Sequence, residues 1–230
     1  MDRVERSMRM NRDDLGASRI VTLDIETTHF KPAEGEVVSI GVAEHERGTR
    51  AEDTTYHLVH RDGEGEAATI QRGLDTVAES EPDILVSYNG KSFDIDFLRQ
   101  RLHRLGQPLD AVALPAAKHV DLFVDRQQRA SRMDEKWPKL EECLEAYGHT
   151  PAKTVWEGAE VTNVRFGDEL GPAYLRALRE GRSTERQQLC DIIDHYLMSD
   201  LEANLCLYYA DIGETYEPIH VGSERAFSIA

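Results

Sequence analysis

Three blocks of β-branched and other apolar residues open the chain. RIVTLDIE (19–26), EVVSIGVAEH (36–45) and TTYHLVH (54–60) are separated by charged or Gly/Pro-bearing loops, which predicts three strands. Apolar residues at Ala68, Ile70, Leu74 and Val77 then follow helical spacing and predict a helix over 64–80. DILVSYNG (83–90) is a continuous apolar run closed by Asn-Gly, the pattern of a buried strand. SFDIDFLRQRLHRLG (92–106) predicts a helix with Ser92 as N-cap and Gly106 as its stop. KHVDLF (118–123) predicts a short strand. WPKLEECLEAYG (137–148) predicts a helix with Pro138 near its start and Gly148 past its end. ELGPAYLRALREG (169–181) predicts another, and a long helix runs from about Glu185 to Asp211.

Three adjacent strands followed by alternating helices and strands imply an α/β fold, with a mixed sheet flanked by helices. A chain of 230 residues fits one domain. The expected organisation is a mobile polar leader over 1–17, a folded domain over 18–211 and a C-terminal tail over 212–230.

Composition narrows the setting. No run of 18 apolar residues exists, so no membrane span is expected. The charged N-terminus has no apolar segment of the signal-peptide kind. Cys143, Cys190 and Cys206 are odd in number and without paired spacing, which reads as buried reduced thiols in a cytoplasmic protein. Acidic residues number 43 against 27 basic ones, for a net charge of −16, and the basic set holds only six lysines. Such a surface repels nucleic acid. Bound divalent cations would reverse that locally. So would molar salt, where the screening length falls to about 3 Å.

The chemistry begins with two acids in an apolar strand. Asp24 and Glu26 are two residues apart, so both side chains leave the same face. A buried carboxylate pair repels unless a cation lies between its members; an exposed edge strand would tolerate it without one. Downstream, Asn89-Gly90 and Phe93-Asp94 stand at a strand–helix junction, with Asp94 in the first helical turn. Later, Tyr196 and Asp200 are four apart on one helix face.

Asp-x-Glu on a first strand, Asn-Gly-x-x-Phe-Asp at a strand–helix turn and Tyr-x-x-x-Asp on a late helix, in this order, resemble the three motifs of the DEDD superfamily of 3′–5′ exonucleases. DIETT, YNGKSFDIDFL and HVDLF are most similar to the stand-alone exonucleases of the YprB type. The resemblance covers about 20–210. It implies a ribonuclease-H-like fold with a mixed five-stranded sheet and a two-metal hydrolysis of phosphodiester bonds, with two Mg2+ or Mn2+ ions clamping the attacking and leaving oxygens. By the same resemblance Asp24 bridges both ions, Glu26 and Asp200 hold the first, and Asp94 serves the second. The partner implied is a single-stranded 3′ end of DNA or RNA. A catalytically silent nucleic-acid-binding domain and a ribonuclease-H-like endonuclease are the alternatives.

Other positions carry weaker readings. The fifth catalytic residue is Tyr196 or His195, since the superfamily has branches with each. His195 and Asp200 are five apart, about 140° around a helix, which favours Tyr196. Thr27, Thr28, Asn89 and Phe93 are candidates for substrate contact. His119 and Asp121 also recur in the resembled family, although a satisfied strand-end histidine suffices for the former. Trp137 and Trp156 could stack a base, with core packing as the weightier reading.

Overall fold

A computed structural model describes residues 8–108, 111, 112, 114 and 117–229. The main sheet has five strands: β1 (Arg19–Thr27), β2 (Val37–Glu46), β3 (Thr55–His60), β4 (Ile84–Ser87) and β5 (Lys118–Asp121). Their spatial order is β3-β2-β1-β4-β5. β1, β2 and β3 pair antiparallel, while β4 and β5 join parallel beside β1. The mixed five-stranded sheet expected from the sequence is therefore present.

Alternation along β1 sorts its side chains. Val21, Leu23 and Ile25 face one layer, with α1 (Glu66–Glu79) and α2 (Asp94–Arg104). The intervening positions Ile20, Thr22, Asp24 and Glu26 face the other layer, where a 30-residue helix lies across the sheet. That helix follows α3 (Leu122–Met133), α4 (Leu140–Ala146), two short strands β6 (Lys153–Trp156) and β7 (Ala159–Glu160), and α5 (Gly171–Arg179). It is α6 (Ser183–Ile212), about 45 Å long. Gly41 on β2 lets it come close: a Cβ there would stand 2.7 Å from Leu197 Cγ and Leu201 Cδ1. Gly41 is paired directly with Asp24, so this close approach brings α6 over the two acids.

Several expectations change. KHVDLF is strand only to Asp121; Leu122 begins α3, because the Asp121 carboxylate caps it by accepting from the Phe123 amide at 3.0 Å. Ser92 is not the N-cap of α2, which starts at Asp94 after Phe93; hydrogen bonds from Phe93 and Ile95 back to Asn89 and Gly90 form a turn first. A second sheet, in the order β7-β6-β8, includes β8 (Glu224–Phe227) from the expected tail. Buried Glu202 holds this segment by accepting from the amides of Ile219, His220 and Val221.

Residues 8–17 make contacts with the rest of the fold. The Arg12 amide donates to Asp211 O at 2.8 Å, Arg126 Nε donates to Met8 O at 2.8 Å, and Ala17 is buried in the core. Arg126 and Asp211 themselves form a fully buried two-pronged ion pair. Residues 1–7 lie outside the described residues. All three cysteines are free, and Cys190 is half-buried rather than buried, at the edge of the packing between α5 and α6. Among the described residues no helix is long and apolar enough to cross a membrane.

Candidate metal centre

The even-numbered face of β1 and the middle of α6 meet at one point. Carboxylate oxygens of Asp24, Glu26 and Asp200 lie within 4.8 Å of one another. Glu26 is 7% exposed, whereas Asp24 and Asp200 keep an edge to solvent. Asp94, 3% exposed at the start of α2, stands beside this trio; its charge is felt at Asp24 and Glu26. Four carboxyl groups thus converge, and among the described residues no basic side chain is one of the influences acting on them.

Electrostatics record that crowding. Burial first, then the Asp94 charge, pushes Asp24 well above the ordinary carboxylate range. Burial, then Asp24, Asp200 and Asp94 in turn, does the same to Glu26. Asp200 is raised by burial, Asp24 and Glu141. Burial lifts Asp94 to about 7, against the opposing pull of its own amide and that of Ile25. Mutually repelling carboxylates held by two rigid elements suit a hard divalent cation, which Mg2+ and Mn2+ are.

Proton competition at these groups gives a pH dependence. A carboxyl raised in the folded state contributes stability that is lost as pH climbs, here from about 4 toward 7 for Asp94. A divalent ion binds the deprotonated form, so its stabilising effect should grow over the same window. Thermal melts of chelated protein should therefore show a larger Tm increase on adding Mn2+ at pH 8 than at pH 5, and Asp94→Asn should flatten the difference. An increment independent of pH would separate the ion from these acids.

A turn with strict requirements positions Asp94. Asn89 has φ 67°, the left-handed region that asparagine tolerates. Gly90 is required by closeness instead: a Cβ would meet Ser87 Cβ at 2.6 Å. Asp121 fixes the turn from below, accepting from the amides of Asn89 at 2.8 Å and Lys91 at 3.0 Å. His119 accepts or donates to Ser87 Oγ at 2.7 Å, and burial, with the Lys91 charge, lowers its pKa to about 4. These two residues shape the site without joining the acid cluster.

The helix phase separates Tyr196 from His195. Tyr196 stacks on Phe166, centroids 5.7 Å apart, and its hydroxyl donates to Asn163 Oδ1 at 2.6 Å. Burial, then Asp200, Glu26 and Asp24, raises its pKa far above the usual phenol value. His195 turns toward the second sheet: Nδ1 is 2.7 Å from Thr154 Oγ1, Nε2 is 3.2 Å from Ser223 Oγ, and its ring meets Phe227.

Three of the expected substrate-contact residues have partners within the fold. Thr27 Oγ1 donates to His29 O, and Thr28 Oγ1 accepts from the Glu36 amide, closing the loop between β1 and β2. Phe93 packs against Phe97. Two residues near the acids had no signal in the sequence. Asn163 reaches Tyr196 from a one-turn helix, and Glu141 on α4 acts on Asp200 and Tyr196. Both come from stretches that carry no motif.

Comparison with known proteins agrees with the fold. Residues 21–205 match a family model described as the RNase H superfamily. A DNA polymerase of Thermococcus aggregans is 32% identical over 95 residues, which is 40% of this chain and 5% of that protein. A DNA polymerase of Thermococcus gorgonarius is 33% identical over 92 residues, 38% of this chain and 12% of that protein. The chain thus matches only a small part of these relatives' length. Among solved structures, the family B DNA polymerase of Pyrobaculum calidifontis superposes with a TM-score of 0.56 over 82% of this chain and 24% of that one, at 19% identity.

Proposed function

The chain belongs to the RNase H superfamily, and on that basis we propose that it is a metal-dependent 3′–5′ exonuclease acting on single-stranded nucleic acid ends. The observation that carries this reading is the convergence of Asp24, Glu26 and Asp200 within 4.8 Å on a strand and a helix. The likeness to parts of DNA polymerases is consistent with a phosphodiester substrate.

In this reading Asp24, Glu26 and Asp200 would hold one divalent ion, and Asp24 with Asp94 a second. When bound, such ions supply Lewis-acid activation of the phosphoryl group and of a nucleophile. The protein's own residues do the rest. Tyr196 stays protonated because burial and the neighbouring acids oppose its ionisation. Its proton is committed to Asn163 Oδ1, so the phenol oxygen is left to accept from a water, turning that water's lone pair toward the phosphate. The phenol thus positions the water and is not its base. The Asp121-clamped turn holds Asp94 to the same geometry. The DEDD and YprB-type resemblances fit this assignment, with Tyr196 as the fifth residue.

A time course on end-labelled single-stranded DNA and RNA of one sequence tests it, with Mg2+ or Mn2+ and at low and molar KCl. A 5′-labelled strand should give a descending ladder, a blocked 3′ end should resist, and EDTA should stop the reaction. Efficient cutting of a closed single-stranded circle would favour an endonuclease. Binding without divalent-dependent hydrolysis would favour a silent nucleic-acid-binding domain.

A further inference from the structure

Trp137, for which the sequence offered base stacking beside the weightier reading of core packing, is 53% exposed. It is nevertheless held in place. Its ring meets Phe123 edge-on with centroids 6.0 Å apart, and its indole N–H donates to Ser131 Oγ at 2.9 Å. Phe123 packs in turn against Tyr88, centroids 5.3 Å apart. The Tyr88 hydroxyl donates back to Pro138 O at 2.5 Å, the residue after Trp137. Tyr88 also precedes the Asn89–Asp94 turn, so segment 136–139 is tied to the turn that brings Asp94 to the acid cluster. The exposed ring is therefore tied, through Phe123 and Tyr88, to the turn that carries Asp94.

Three of the chain's lysines stand on these two segments, in a stretch that also carries Asp134, Glu135, Glu141 and Glu142. Of six lysines in a chain of net charge −16, Lys136 and Lys139 flank Trp137 and Lys91 lies on the turn; all three are exposed. Lys136 makes an ion pair with Glu142 at 3.4 Å, with 74% of its side chain still exposed. A fixed, solvent-facing aromatic ring among ammonium groups suits a strand whose bases stack and whose phosphates need cations.

We propose that Trp137, with Lys91, Lys136 and Lys139, forms a docking subsite for single-stranded nucleic acid beside the turn that carries Asp94, holding the strand next to the end presented for cleavage. The placement of the strand's end rests on the exonuclease reading above; the binding itself is measurable without hydrolysis. The test uses the full chain in EDTA with a short oligodeoxythymidylate, at low and at molar KCl. In a Trp156→Phe background Trp137 is the remaining tryptophan reporter, and its fluorescence should be quenched on binding. Trp137→Ala should weaken binding about tenfold or more at both salts, as loss of a stacked base does. Replacing the three lysines by glutamine should weaken binding at low salt and converge on wild type in molar KCl, because screening removes their contribution. With Mn2+, Trp137→Ala should raise KM for a long strand and leave kcat for a dinucleotide unchanged.

Unquenched fluorescence, or a Trp137→Ala protein that binds as tightly as wild type, overturns the subsite. Quenched binding by a protein that hydrolyses nothing with Mg2+ or Mn2+ supports the subsite and removes the exonuclease reading. Hydrolysis unaltered in KM by Trp137→Ala does the reverse. Because Trp137 is half in solvent, its replacement should leave the melting temperature nearly unchanged, and the lysine variants provide an independent check on the same surface.

Discussion

Replacing Asp24 by alanine is expected to abolish divalent-dependent hydrolysis and leave the fold in place. Asp24 is common to both groupings: its oxygens are grouped with those of Glu26 and Asp200, and the charge of Asp94 acts on it. Removing it would disturb both proposed ion positions together. The loss should exceed the roughly 10–100-fold typical when an outer partner of a metal ligand is removed. The fold should tolerate the change because the packing that seats α6, Leu197 and Leu201 against Gly41, does not involve the carboxylate. The variant should even melt at or above the wild-type temperature in EDTA at pH 8, where a buried, repelled charge has been removed. Its Tm should respond less to Mn2+. Activity above about a tenth of wild type would displace Asp24 from the centre of the mechanism.

Tyr196→Phe should lower kcat by on the order of a hundredfold, the usual contribution of a group placed to guide a proton or a water. The phenylalanine ring retains the stack on Phe166, so stability should scarcely change. His195→Gln is the matched control. It lies one residue away, but its hydrogen bonds go to Thr154 and Ser223 between α6 and the second sheet. That variant should melt earlier while each folded molecule keeps near-wild-type kcat. The wild-type pH–rate profile should show no inflection near 6.5 assignable to His195, whose imidazole burial holds below its usual range. A crippled His195→Gln beside a mild Tyr196→Phe would assign the protein to the histidine branch and exchange the roles of the two side chains.

The acid cluster was legible because its logic is local at each piece. A strand period of two puts Asp24 and Glu26 on one face, and a helix period of 3.6 puts Tyr196 and Asp200 on another. Those rules do not depend on the rest of the molecule, and the five strands of the main sheet followed from the same patterning. The errors fall where a local pattern was weak or was overruled from afar. KHVDLF continues the apolar run of a strand, but Asp121 ends it by capping α3. The last residues have no pattern of their own; they become strand because β6, some seventy positions earlier, offers an edge. Residues 8–17 look like a polar leader, yet buried Arg126 and Asp211 hold their backbone.

Local periodicity alone therefore established which side chains share a face: the paired acids of β1, the tyrosine and aspartate of α6, and the alternation that builds the sheet. Which faces meet was left to long-range packing. Gly41 admits α6 to within contact of β2 and so sets Asp200 against Asp24; the Asp121 clamp delivers Asp94 from a different strand. Asn163, Glu141 and Trp137 acquire their places from the same packing. Periodicity is set by backbone geometry within a few residues, whereas the meeting of elements depends on steric fit and hydrogen bonds between residues far apart in the chain.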